Sequence, residues 1–363
     1  MSEQRHVNFN PGPSTLPLPA LERAQKEFLN YEGSGMSILE HSHRGPVYTA
    51  VHEQTIALLT ELLSIPPTHQ ILFMQGGASS QFALLPMNLR TDSHAGDYIV
   101  TGTWAKKALA EAKVVGTPHV AWDGAADGTW TRVPKQDELD LSQNAPYVHI
   151  TSNNTIMGTQ FFDFPDTANV PLVADMSSDI LWRPLDISKF GIIYAGAQKN
   201  MGPSGITVVI IRKDLLEQTR TDLPKIFRYR EIAAANSLQN TIPTFPVYLV
   251  RNVLMWLKDE GGPAEIERRN RKKAALIYTA VDESGGFYRC PVEARSRSVM
   301  NPVFRLATPE MEKDFIAKAA DAGMVGLKGH RSVGGIRASI YNAMPVAGVE
   351  QLATFMADYQ KRA

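Results

Sequence analysis

Short apolar runs alternate along the chain with glycine- or serine-rich turns, and the turns lead into segments whose apolar residues recur every third or fourth position. Ile71-Leu72-Phe73-Met74 runs into Gly76-Gly77-Ala78-Ser79-Ser80, after which the pattern predicts a helix from Gln81 to about Leu89. Asp97 to Val100 leads into Trp104 and a helical stretch over 105–113. Tyr147 to Ile150 leads into Thr151-Ser152-Asn153-Asn154-Thr155. Val170 to Ala174 ends in Asp175, and Ile192 to Tyr194 ends in Gly196-Ala197-Gln198-Lys199. Strand, turn, helix is the local grammar of an α/β fold. Ile206 to Ile211 is almost wholly apolar and β-branched, as in a strand covered on both faces.

Helical spacing also marks Val47, Val51, Leu58, Leu62 and Ile65, a segment stopped by Pro66-Pro67. Gly261-Gly262-Pro263 punctuates the chain. Beyond it the pattern predicts a charged helix over 264–282, a helix over 311–322, a strand over 336–341 and a last helix with Val349, Leu352, Met356 and Tyr359 on one face. Asn8-Phe9-Asn10-Pro11-Gly12-Pro13 is unsuited to helix or central strand and reads as an ordered arm. A chain of 363 residues exceeds what one core usually serves. The expected fold class is therefore α/β, with a large domain over residues 16–260. A smaller α+β domain over residues 261–363 is joined by the arm 1–15.

Composition narrows the function. Apolar residues make up 44% and charged residues 20% of the chain, and the formal net charge is +0. No basic excess points to nucleic acid, so any anion must be bound by locally placed groups. The single cysteine, Cys290, excludes an intramolecular disulfide; it precedes a proline, has no neighbour to make it a thiolate, and reads as a structural thiol. Met1 to Pro19 has no apolar leader core, and no apolar run approaches the ~20 residues of a membrane span. A soluble, cytoplasmic protein is expected.

In open α/β sheets the binding crevice lies beyond the carboxyl ends of the strands. Gly76 to Ser80, Trp104, Thr155, Asp175 and Lys199 each follow such an end. Lys199 is flanked by Gly196, Gly202 and Gly205. Burial would depress its pKa and make it an amine nucleophile, whereas the ordinary loop lysine is exposed. Asp175 suits a protonated pyridine nitrogen, or a helix N-cap before Ser177-Ser178. The Gly-Gly turn suits a phosphate and Trp104 a stacked ring. Together these four groups match pyridoxal 5′-phosphate better than other cofactors. A second, cationic set is His41, His43 and Arg44, with His330, Arg331 and Arg337. Alternation in the strand over 336–341 puts Arg337, Ser339 and Tyr341 on one side. Guanidinium groups bind carboxylates and phosphates in bidentate fashion, which suits a multiply anionic substrate. His41 and His43 have no carboxylate or cysteine at ligand spacing, so no metal is expected.

Ala195-Gly196-Ala197-Gln198-Lys199-Asn200 and Val173-Ala174-Asp175-Met176-Ser177-Ser178 resemble the cofactor region of the phosphoserine aminotransferase family, within the class-V aminotransferases of pyridoxal-phosphate fold type I. The resemblance spans nearly the whole chain. It includes Phe9-Asn10-Pro11-Gly12-Pro13, Ser42-His43-Arg44-Gly45, Asn240-Thr241, Gly329-His330-Arg331 and the segment from Gly334 to Ala343. It implies that Lys199 binds the cofactor as a Schiff base, that Asp175 faces the ring nitrogen, that Trp104 stacks on the ring and that Thr155 lies near the ring hydroxyl. It implies that Ala78, Ser79 and Gln198 hold the phosphate, joined by Asn240 and Thr241 from the other subunit of a homodimer. It places His43, Arg44, His330 and Arg331 round the substrate's phosphate or distal carboxylate, and Arg337 on its α-carboxylate. The implied reaction exchanges an amino group between glutamate and 3-phosphohydroxypyruvate, in serine biosynthesis, with 4-phosphohydroxythreonine of pyridoxine biosynthesis as a further substrate. Ser79 stands where some members carry arginine, and Pro11 where some carry serine, which removes two potential substrate or anion contacts. The rival readings are a cysteine desulfurase, an alanine–glyoxylate type aminotransferase, and a non-catalytic module binding a phosphorylated metabolite. Cys290 speaks against the first and the number of cations against the second.

Overall fold

The computed structural model describes residues 5–125 and 128–362. Two extended residues, β1 (Val7–Asn8), precede α1 (Leu18–Glu27) and α2 (Pro46–Leu63). α2 opens on Pro46, where a missing N–H is no loss, and stops at Ser64, whose φ of 49° turns the chain ahead of Pro66-Pro67. The strand–turn–helix units follow as β2 (His69–Met74), α3 (Gly77–Leu89), β3 (Asp97–Val100), α4 (Thr103–Val115), β4 (His119–Asp123) and β5 (Val148–Thr151). A hairpin of β6 (Asn153–Asn154) and β7 (Thr159–Gln160) leads to β8 (Leu172–Asp175), β9 (Ile192–Gly196) and β10 (Thr207–Arg212).

Seven strands form one sheet in the order β2-β10-β9-β8-β5-β3-β4. β10 runs antiparallel to both of its neighbours, and every other pair is parallel. The sheet is thus mixed but mostly parallel. β2, β3, β5, β8 and β9 all point the same way, so their carboxyl ends share one rim. Both faces are covered. Val208 and Ile210 of β10 enter one apolar core and Val209 and Ile211 the other, which is why the run shows no polar alternation.

The chain continues through α5 (Lys213–Gln218), α6 (Tyr229–Ala234), α7 (Thr244–Asp259) and α8 (Gly262–Asp282). Then come β11 (Val303–Phe304), α9 (Pro309–Asp321), β12 (Met324–Val325), β13 (Ile336–Arg337) and α10 (Val346–Arg362). Ile277 of α8, Phe315 of α9 and Leu352 and Met356 of α10 build a third core, which also takes in Phe9 of the arm. β1 pairs with β12 in parallel and β11 with β13 antiparallel. The arm is therefore ordered by a strand contact to the C-terminal part of the chain. Among the described residues no helix is long and apolar enough to cross a membrane.

Two expectations change. The helix expected from Gln81 begins at Gly77, so Gly77 to Ser80 form its first turn and only Gly76 is a turn residue. The strand expected over 336–341 is regular only at Ile336–Arg337. Beyond it Ala338 N donates to Pro302 O, Ser339 N to Phe9 O and Ile340 N to Met300 O. The segment stays extended and buried but is threaded between unlike neighbours, and a proline beside it cannot return a ladder bond.

Candidate active site

The shared rim collects the predicted groups. Lys199 follows β9 and is half-buried; its Nζ donates to Thr155 Oγ1 at 2.6 Å and lies 5.8 Å from the centre of the Trp104 ring. Burial brings the Lys199 amine down to about 8, and the Arg337 cation adds to the effect, while Asp175 opposes it. The arm secures the same segment from below. Ser14 N donates to Gln198 O at 3.0 Å and Ser14 Oγ to Lys199 O at 2.5 Å. Gly12, at φ +146°, leaves room for this approach, since a Cβ there would stand 3.2 Å from Lys199 Cγ.

Asp175 ends β8 and is buried. Its Oδ1 accepts from Ser177 N at 3.0 Å and Ser177 Oγ at 2.6 Å, the local capping contact that an Asp-x-Ser spacing allows. Burial raises its pKa, against the pull of those two bonds and of Lys199. No protein group among the described residues donates to Oδ2, which leaves that oxygen for a ring N–H. Trp104 sits in the first turn of α4, and its Nε1 is buried without a partner among the described residues. Ala78 and Ser79 lie in the first turn of α3, where amides lack intrahelical acceptors. The Gln198 side chain folds back over Gly196. An amine of lowered pKa, a buried carboxylate with one free oxygen, a helix N-terminus and an indole on one rim fit pyridoxal phosphate.

Arg337 is buried, reaches the Thr155 carbonyl through Nη1 at 3.5 Å, and has an Nε unpartnered among the described residues. Tyr341 lies within charge reach of Arg337, and Asn301 Nδ2 donates to Ser339 Oγ at 2.9 Å and to Tyr341 Oη at 3.2 Å. His330 is held by Ser332, and burial, then the charges of Arg337, Arg331 and Lys107, lower its pKa. Lys107, which the sequence reading passed over, lies 4.4 Å from the Trp104 ring centre, one helical turn away.

Four predicted residues are not joined to this cluster. No hydrogen bond, ion pair or ring contact among the described residues links His43, Arg44, Asn240 or Thr241 to Lys199 or Arg337. The chain before His43 packs on the chain after Thr241: Phe28 on Phe245 at 5.8 Å and Tyr31 on Tyr248 at 5.7 Å, with His41 against Tyr31 at 6.5 Å. Arg44 is exposed, and His43 Nε2 is buried without a partner among the described residues. Leu18, Phe28, Leu29, Met36 and Leu39 are exposed along the same stretch, Leu29 to 81%.

The aminotransferase class-V family model matches residues 6–352. The chain is a class-V aminotransferase. A phosphoserine aminotransferase of Niallia circulans is 53% identical over 358 residues, covering 99% of each chain. The solved phosphoserine aminotransferase from Bacillus circulans subsp. alkalophilus superposes on this aminotransferase with a TM-score of 0.97, at 53% identity and 99% of each chain. A pyridoxal-phosphate-bound phosphoserine aminotransferase from Trichomonas vaginalis, 37% identical, gives a TM-score of 0.93 over 97% of this chain and 100% of its own.

Sequence reasoning missed Ser14 and Lys107. Lys107, three residues after Trp104, carried a local signal in its spacing, whereas Ser14 reaches the site through a contact between distant segments.

Proposed function

We propose that this aminotransferase transfers an amino group reversibly between L-glutamate and 3-phosphohydroxypyruvate, giving O-phospho-L-serine and 2-oxoglutarate, on pyridoxal 5′-phosphate held by Lys199. The observation that carries the reading is a half-buried amine brought down to about 8, in charge contact with a buried Asp175 and Arg337. Its full-length relatives at about half identity are named phosphoserine aminotransferases.

Bound there, the cofactor supplies an electron sink for the bonds at the substrate α-carbon. Lys199 Nζ would hold the cofactor through its aldehyde and, when free of it, would serve as the base and acid that moves the substrate's α-proton. Asp175 Oδ2 keeps the ring nitrogen protonated. Thr155 Oγ1, which accepts from Lys199 Nζ, orients the amine. Trp104 covers the ring face and excludes water, while the α3 N-terminus with Ser79 and Gln198 takes the phosphate. Arg337 holds the α-carboxylate through its free Nε. His330 and Arg331 attract the distal anion, so a γ-carboxylate and a phosphate share one pocket. The keto acid related to 4-phosphohydroxythreonine carries the same two anions and fits the same groups.

His43, Arg44, Asn240 and Thr241 act, in this reading, across the interface of a homodimer seated on the exposed apolar stretch 18–39. That surface is the kind a partner covers. The reading also divides the chain into a cofactor domain over 16–260 and a smaller domain over 261–363 with the arm, working in the cytoplasm.

Absorbance and a substrate panel test the proposal. Purified protein is expected to be yellow and to lose the colour in Lys199→Ala. Phosphohydroxypyruvate is expected to outrun pyruvate and glyoxylate as acceptor from glutamate. A preference for glyoxylate would assign the alanine–glyoxylate activity instead, and a colourless protein indifferent to added cofactor would leave a binding module.

A further inference from the structure

A second carboxylic acid lies beneath the site. Asp179 follows β8 in the turn 176–181 and is 4% exposed. Among the described residues no cation lies within hydrogen-bond reach of it. Its Oδ2 accepts from Gln160 Nε2 at 3.1 Å, and the Gln160 amide cannot turn, because its Oε1 accepts from Val299 N at 2.9 Å. Its Oδ1 is hydrogen-bonded to Ser152 Oγ. Ser152 Oγ also lies 3.0 Å from the carbonyl oxygen of Asp175, the residue that ends the strand.

Ser152 has one hydroxyl proton and two oxygens competing for it. Were Asp179 ionised, that proton would turn to Asp179, and the Asp175 carbonyl would lose its hydroxyl donor. With Asp179 as the neutral acid every group is used. Asp179 O–H donates to Ser152 Oγ, Ser152 O–H donates to Asp175 O, and Gln160 N–H donates to Asp179 Oδ2. The charges around the acid are divided. The like charge of Asp175 favours the neutral form, Arg183 and Lys199 favour the ionised one, and burial outweighs them. Two carboxyl groups within charge reach of each other in a dry interior share one proton more cheaply than they hold two charges.

We propose that Asp179 is the neutral member of this buried carboxyl pair and a positioning residue, whose proton, passed through Ser152, anchors the end of β8 and leaves Asp175 as the one anion under the cofactor ring. The proposal rests on the cofactor reading of Asp175 given above. Burial is the largest influence on Asp179 and holds its carboxyl up to about 7. The folded acid thus keeps its proton at pH values where the unfolded one has lost it. Its contribution to stability is present at acid pH, falls as pH rises from the ordinary carboxylate range, and is gone above about 7.

Three variants test this. Asp179→Asn presents a donor to Ser152 and an acceptor to Gln160, as the acid does. Ser152→Ala and Asp179→Leu each cut the relay, and Ser152→Ala serves if the leucine variant does not fold. On protein stripped of cofactor, the infrared band of a buried protonated carboxyl, recorded below about pH 7, should lose intensity in Asp179→Asn. Equal bands in parent and variant overturn the proposal. In holoenzyme the pH midpoint of the lysine-bound cofactor's absorbance should be the same in Asp179→Asn as in the parent. It should move by about one unit, tenfold in proton affinity, in Ser152→Ala. A fall of the midpoint in Asp179→Asn would mean that an anion had been removed, and a motionless Ser152→Ala that the relay positions nothing; either result sinks the idea. Protein that takes up no cofactor defeats the reading of Asp175, and the infrared comparison still decides where the proton sits.

Discussion

Lys199 and Asp175 are shifted in opposite directions by one cause. Burial disfavours the charged form of each, lowering the amine and raising the acid, while their mutual attraction works against both shifts. The consequence is measurable in cofactor capture. Only a neutral amine attacks an aldehyde, so uptake of pyridoxal phosphate by the stripped protein should speed up as pH rises through about 8. Asp175 favours the protonated amine, so Asp175→Asn should move that midpoint down. Arg337 disfavours it, so Arg337→Met should move it up. Stopped-flow absorbance against pH gives all three curves, and coincident midpoints would disconnect these charges from the amine.

A single helix turn shapes the proposed phosphate cradle. Gly76 caps α3 at φ +89°, and a Cβ there would fall 1.8 Å from Ser80 Oγ, inside the turn that presents the free amides. Gly76→Ala should therefore cost about 1–3 kcal/mol of backbone strain and weaken cofactor binding together. Thermal denaturation with and without added pyridoxal phosphate separates the two losses, and unchanged affinity would move the phosphate away from α3. The apolar stripe of α10 offers the contrast. Leu352 is fully buried in the third core, far along the chain from the rim. Leu352→Ala should destabilise by about 2–5 kcal/mol, read as a lower Tm, without moving the absorbance midpoint. A shifted midpoint would tie the third core to the lysine's environment.

At the scale of the whole molecule the described chain holds one cluster around Lys199 and a second set, His43, Arg44, Asn240 and Thr241, with no hydrogen bond to it among the described residues, while Leu18, Phe28, Leu29, Met36 and Leu39 are exposed. If the second set serves a partner's lysine, two defective chains can repair each other. Lys199→Ala and Arg44→Ala homodimers should each be impaired. Subunits mixed after mild dissociation should regain activity approaching roughly a quarter of the wild-type sites, since half the dimers are mixed and one site in each is intact. An assay of phosphohydroxypyruvate turnover after mixing reads this directly. No gain over the sum of the parents would place Arg44 in its own subunit's site or in none.

Local order was legible in the chain itself. The stripe Val349, Leu352, Met356 and Tyr359, the apolar run of β10 and the polar residues closing β5, β8 and β9 follow from spacing along a few turns or strands, because helix and strand periods are properties of neighbouring residues. The same alternation placed Arg337, Ser339 and Tyr341 on one side, although regular pairing ends at Arg337. Contacts between distant segments decided the rest. Strand order turned five separate strand ends into one rim, the arm reached Lys199 across nearly two hundred residues through Ser14, and the Asp179–Ser152 contact joined two turns that share no local pattern. Desolvation is the reason these matter. The proton affinity of a lysine or an aspartate is set by how much water and which charges surround it, and that is known only once the chain has closed round it.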